Sequence, residues 1–107
     1  MSDPAPSVPI VDLDRDAVKR GLAEGSLVLV DVREPHEFAA GHVPGSVSMP
    51  LSRFDPDALP EGRVVFSCAA GVRSVRAAQA AQAAGRDLRE HYRGGFKDWV
   101  EAGEPVE

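Results

Sequence analysis

An α/β domain with a mainly parallel sheet is predicted by three observations along this chain. Two aliphatic runs, "SLVLVDV" (residues 26–32) and "RVVFSC" (residues 63–68), are too short for ordinary helices and read as strands buried on both faces. Helical segments alternate with these runs, as parallel connections require. Gly25, Gly41 and Gly85 fall where those helices would stop.

The elements follow in order. Residues 1–7, "MSDPAPS", are rich in proline and small polar residues and are expected to form a flexible tail, with the domain occupying residues 8–107. Residues 8–11 read as a short strand. "DLDRDAVKRGLAEG" offers Asp12 or Asp14 as N-cap, apolar Ala17, Val18 and Leu22, and Gly25 as the stop, which predicts a helix. After the first buried strand, "EPHEFAAG" predicts a short helix with Pro35 in its first turn. "HVPGSVSMP" holds a Pro-Gly turn and then an extended segment, and "LSRFDPDALPEG" reads as loop with a helical turn. The second buried strand leads to a helix over residues 74–84. "DLREHY" is a weak strand signal. "GGFKDWVEAG" closes the domain as a helix with Phe96, Trp99 and Val100 at helical spacing.

Bulk properties narrow the function. A chain of 107 residues supports one compact domain with a modest core. A net charge of −5 argues against a nucleic acid or an anionic membrane as principal partner. No apolar stretch approaches the ~20 residues of a membrane span. The N-terminus lacks the basic and apolar regions of a signal peptide. One cysteine cannot form an internal disulfide, and a reducing cytoplasm is the expected compartment.

That cysteine, Cys68, ends a buried strand at the carboxyl edge of the sheet, where parallel α/β sheets bind ligands. The chain then turns through Ala69, Ala70, Gly71, Val72 and Arg73 into a helix. Gly71 permits a positive φ, so successive backbone N–H groups can converge as an anion-binding nest. The helix start adds unpaired amides and the positive end of its dipole. Arg73 adds a permanent charge. Each contribution favours thiolate over thiol, and the same donors suit an anionic substrate. A lone cysteine is more often a small buried filler. Here the coordinated glycine, arginine and helix start favour a nucleophile.

Asp31 and Arg33 follow the first buried strand and are read as loop organisers, with an ion pair expected between Arg33 and Glu37. His42 is read as a turn residue whose ring satisfies nearby backbone groups, and Ser74 as part of the loop's framework. His36 and His91 look like surface residues. The histidines and Cys68 show no metal-ligand spacing, so neither metal nor cofactor is expected. Ala77, Ala78, Ala81 and Ala84 share one helical face and are expected to lie close against the sheet, with Phe96 and Trp99 in the core.

These residues resemble the rhodanese-like domain family in its small single-domain form, over residues 10–107. "CAAGVRSVRAA" is similar to the family's Cys-x-x-Gly-x-Arg-Ser loop and the Ala-Ala of its helix. "VDVREPHEFAAGHVPGSVSMPL" resembles its Asp-Val-Arg, Glu-Phe and Gly-His-Ile-Pro-Gly-Ala stretch. "GGFKDWVEAGEPVE" resembles its Gly-Gly-Phe, Trp and Ala-Gly-x-Pro ending. The resemblance implies a central five-stranded parallel sheet with helices on both faces. It also implies sulfurtransferase chemistry. Cys68 would take a sulfane sulfur from thiosulfate or a related donor and carry it as a persulfide. A thiol or cyanide would accept it, with a thioredoxin-like or sulfur-relay protein as a candidate partner. The amides of Ala69 to Arg73 would cradle the persulfide, and Arg73 would help hold the donor. Arginines stand at 86 and 89, where the family usually has an aromatic and a branched aliphatic residue, so Leu88 and Tyr92 are expected to supply the apolar contacts.

Two other function classes stay open. Related phosphatases and arsenate reductases use a Cys–Arg loop one residue longer than the four residues between Cys68 and Arg73 here. The shorter ring suits a single sulfur. A non-enzymatic binding module is the third reading, which retention of both Cys68 and Arg73 disfavours.

Overall fold

The computed structural model describes residues 9–107, so the expected tail at residues 1–7 lies outside the described residues. Five strands form one sheet: β1 (Val11–Leu13), β2 (Val28–Asp31), β3 (Val47–Ser48), β4 (Val64–Ser67) and β5 (Glu90–Tyr92). Their spatial order is β1-β5-β4-β2-β3, with every neighbouring pair parallel. The helices are α1 (Arg15–Glu24), α2 (Pro35–Ala40), α3 (Arg73–Ala83) and α4 (Gly95–Glu101). Two single 3-10 turns, Leu51–Arg53 and Pro56–Ala58, occupy the segment read as loop. The predicted fold class holds.

Helices cover both faces because β2 and β4 are apolar on both. Ala77, Ala78 and Ala81 of α3 pack over Val30, Val64 and Phe66 on one face. On the other, Val18 of α1 and Trp99 of α4 pack with Leu29, Val65 and Tyr92. Small residues on α3 let the helix approach the strands closely, and burial of each large aliphatic or aromatic side chain contributes roughly 1.5–3 kcal/mol. Ala84 departs from expectation: it is exposed, because α3 ends at Ala83 and the chain turns away at Gly85.

The helix starts follow local chemistry. Asp14 is the N-cap of α1, its Oδ1 accepting from Ala17 N at 2.9 Å. At the start of α2, Glu37 Oε1 accepts from Glu34 N at 2.9 Å. The first strand lies at Val11–Leu13 rather than over residues 8–11, because its pairing is set by β5, opposite Glu90, His91 and Tyr92. Leu88, before β5, packs against the α3-side core, and Tyr92, the last residue of β5, is fully buried, as expected. Arg86 straps this segment to the 3-10 turns, donating to the carbonyls of Pro56 and Pro60 at 3.1 and 3.0 Å.

Candidate active site

The central strands deliver Asp31, Cys68 and Tyr92 to one end of the sheet, and the connections leaving that end build the site. Cys68 follows β4 directly and is 1% exposed. Its loop is held from below by α4: Phe96 N donates to Cys68 O at 2.8 Å and Lys97 N to Ala69 O at 3.0 Å. Two glycines make this contact possible. Gly71 has φ +86, and a Cβ there would stand 2.4 Å from Arg93 O; Gly95 has φ +66, and its Cβ would meet the Cys68 and Ala69 carbonyls at 2.6 Å. Only residues without a side chain allow such an approach.

The loop aims donors at sulfur. Gly71 N donates to Cys68 Sγ at 3.1 Å, and Ser74 Oγ lies 3.5 Å from the same atom. Burial pushes the thiol pKa up. The Ser74 hydroxyl, then the backbone N–H groups of Ser74, Ala70 and Gly71, push it down by more, so the net shift is below the ordinary thiol value. Of the five loop residues from Ala69 to Arg73, Ala70 and Gly71 direct their amides at the sulfur, and the amide and hydroxyl of Ser74 join them in favouring the thiolate.

Arg73, the first residue of α3, sends both terminal nitrogens to Glu37 on α2, at 2.7 and 3.1 Å. The hydrogen bond from Arg73, opposed by burial and aided by the Glu34 N–H, holds the Glu37 carboxyl down at about 2. The guanidinium keeps an electrostatic interaction with Cys68. The expected Arg33–Glu37 pair does not form. Arg33 Nη2 instead binds Asp31 Oδ2 at 2.7 Å and Gly41 O at 2.8 Å, and its Cζ stacks 4.3 Å from the centroid of Phe96. Asp31 and Arg33 are 3% and 4% exposed, so this is a buried pair joining β2, α2 and α4. It links the connections at this end of the sheet.

His42 also organises loops. Its Nδ1–H donates to Phe38 O at 2.9 Å, its ring stacks on Phe38 at 3.8 Å, and its backbone exchanges hydrogen bonds with Glu107. His36 is exposed, as read. His91 is not a surface residue. It is 2% exposed, with Nδ1 2.8 Å from Ser74 Oγ and Nε2 2.6 Å from Asp12 Oδ1. Charged neighbours disguise it in the sequence. The missed signal is the parallel sheet itself, because β5 lies between β1 and β4 and buries alternate residues on both faces. Beside the loop, a surface cleft of about 730 Å³ is lined in part by Asp12, Arg20, Ala70, Arg93 and Asp98. Among the described residues, no helix is long and apolar enough to cross a membrane.

Comparison with known proteins agrees with this architecture. The family model of the rhodanese-like domain matches residues 14–102. An uncharacterized protein of Synechocystis is 41% identical over 86 residues, covering 78% of this chain and 48% of that protein. The thiosulfate:glutathione sulfurtransferase of Saccharomyces cerevisiae is 33% identical over 100 residues, covering 78% of this chain and 71% of the yeast protein. The chain therefore spans about half of the first relative and most of the second. A solved structure from Rhodopseudomonas palustris, a protein of unknown function described as a possible tyrosine phosphatase, superposes with a TM-score of 0.79 at 32% identity, covering 92% of this chain and 85% of its own. A five-stranded parallel sheet, a cysteine loop at its carboxyl edge and a family match over residues 14–102 lead to one conclusion: the chain belongs to the rhodanese-like domain family.

Proposed function

We propose that the protein is a sulfurtransferase in which Cys68 carries the transferred sulfur. The observation that carries this reading is the convergence of the Gly71 amide and the Ser74 hydroxyl on a buried sulfur whose thiol is held below its ordinary pKa. The Cys68 thiolate attacks the outer sulfur of thiosulfate, a new S–S bond forms, and the S–S bond of the donor breaks to release sulfite. The charge is conserved: thiolate plus thiosulfate dianion give persulfide anion plus sulfite dianion. A thiol or cyanide then attacks the outer sulfur and displaces Cys68 as thiolate.

Ala69, Ala70, Gly71, Val72 and Arg73 form the ring around the persulfide in this reading. The transferable sulfur stands one S–S bond, about 2.05 Å, beyond a buried Sγ, which brings it toward the mouth of the ring. Arg73, held in place by Glu37, supplies positive charge for the anionic donor. The yeast relative's name specifies thiosulfate and glutathione. A small thiol is accordingly the acceptor class proposed here. A thioredoxin-like or sulfur-relay protein is the corresponding macromolecular acceptor, with Val72, 63% exposed at the rim, available to contact it.

The description of the Rhodopseudomonas palustris structure keeps a phosphatase reading in competition. Loop length favours sulfur. A phosphoryl group brings three equatorial oxygens that need donors at a larger radius than one sulfur atom. The test is transfer from thiosulfate to cyanide set beside aryl phosphate hydrolysis, on the wild type, Cys68→Ser and a variant with glycine inserted between Ala70 and Gly71. The wild type is expected to transfer sulfur and to hydrolyse aryl phosphate no faster than Cys68→Ser. The insertion should lower sulfur transfer and improve phosphate or arsenate binding. Cys68-dependent phosphatase turnover in the wild type would reverse the assignment.

A further inference from the structure

A continuous line of hydrogen bonds leads away from the sulfur. Cys68 Sγ is 3.5 Å from Ser74 Oγ, Ser74 Oγ is 2.8 Å from His91 Nδ1, and His91 Nε2 is 2.6 Å from Asp12 Oδ1. Cys68, Ser74 and His91 are 1%, 0% and 2% exposed, whereas the Asp12 side chain is 55% exposed and lines the surface cleft. The line connects a buried thiol to solvent through α3, β5 and β1.

Chemistry fixes its direction. An ionised carboxylate only accepts, so Nε2 carries the hydrogen, and in the neutral ring Nδ1 must then accept. Ser74 Oγ–H donates to Nδ1, which leaves an Oγ lone pair to accept from the Cys68 thiol. Each hydrogen points from sulfur toward Asp12.

We infer that Ser74, His91 and Asp12 form a proton relay that ionises Cys68. The S–H bond breaks as an O–H bond forms on Ser74, and the original O–H bond of Ser74 breaks as an N–H bond forms on His91 Nδ1. The products are a thiolate, a serine hydroxyl whose hydrogen now points at sulfur, and an imidazolium held against the Asp12 carboxylate. Proton count and net charge are unchanged, and no co-reactant is needed. His91 and Asp12 are positioning residues, since they reach sulfur only through Ser74. The titratable groups facing the ring are Asp12 from β1 and, through Ser74 of α3, Cys68 at the end of β4; β4 itself sets Phe66 beside His91. On β5, Glu90 is bound by Arg63, and Arg93, just after β5, lines the cleft.

This relay rests on Cys68 being the sulfur carrier, but its test reads the thiol before any donor is added. Alkylation of Cys68 by iodoacetamide is followed against pH for the wild type, His91→Asn and Asp12→Asn, with circular dichroism confirming the fold. Midpoints are expected to rise, lowering the rate at neutral pH by about tenfold in His91→Asn and about threefold in Asp12→Asn, where one pKa unit corresponds to tenfold. The rate at high pH, where hydroxide ionises the thiol, should match the wild type in both. A purely structural role would change that plateau or leave the midpoint in place. Unchanged midpoints in folded variants would overturn the relay. If His91→Asn does not fold, Asp12→Asn decides alone, because its side chain is largely in solvent. Persulfide formation with thiosulfate, measured separately, reports on the sulfurtransferase reading itself.

Discussion

Arg73 and Glu37 meet in a two-pronged ion pair, at 2.7 and 3.1 Å, across 36 positions of sequence. The pair ties the first residue of α3, at the end of the cysteine loop, to α2. Because the Glu37 carboxyl is held at about 2, below its ordinary 4.5, its contribution is fully present above pH 4.5 and is lost as pH falls through about 2.

Glu37→Gln should therefore flatten the loss of stability between pH 4.5 and pH 2. At neutral pH its cost should be about 1 kcal/mol, since the pair is partly exposed. Urea denaturation at a series of pH values measures both. A variant whose pH dependence matches the wild type would show that another carboxylate dominates acid unfolding.

The depressed Cys68 thiol predicts an alkylation midpoint at lower pH than that of a free cysteine. Ser74→Ala removes the largest of the stabilising donors but keeps the amide. The alkylation midpoint should rise by about one unit, a tenfold smaller thiolate fraction below the midpoint. An unshifted midpoint would mean that the backbone amides alone set the acidity.

The close approach of Gly71 to Arg93 O separates two costs. Gly71 and Gly62 share φ +86, but a Cβ on Gly62 meets nothing within 4 Å. Gly62→Ala should cost only the left-handed backbone strain, roughly 1–2 kcal/mol. Gly71→Ala should cost more and also abolish sulfur transfer. Equal losses of stability would show that the loop can retreat from β5.

Breaking the buried Asp31–Arg33 pair should cost the fold without touching the sulfur. Asp31→Asn leaves the buried Arg33 side chain without its counter-ion. A loss of about 3 kcal/mol in urea unfolding is expected. A loss below about 1 kcal/mol, the range of a surface pair, would mean that water reaches Arg33.

What was legible in the sequence follows the strength of local signals. β2 and β4 announce themselves as apolar runs, and Gly71 and Arg73 frame the loop between β4 and α3. Residues whose roles depend on distant partners were harder to read. Arg33 and Glu37 are one helical turn apart in the chain, a spacing that suggests a local pair, yet Asp31 and Gly41 O hold Arg33 and Arg73 takes Glu37. His91 sits among charged residues and looked exposed. Its burial depends on β5 being placed between β1 and β4, and no short window of sequence states that order. The position of the three-residue edge strand β1 is hidden for the same reason, since its register is set by a partner 79 residues away.

Intact-protein mass spectrometry after incubation with thiosulfate tests most directly whether Cys68 carries the sulfur. The wild type is predicted to gain the mass of one sulfur atom, lose it on addition of cyanide or a small thiol, and release sulfite in equal amount. Cys68→Ser, folded by circular dichroism, is predicted to gain nothing. A wild type that never gains sulfur, or a serine variant that does, would contradict the assignment.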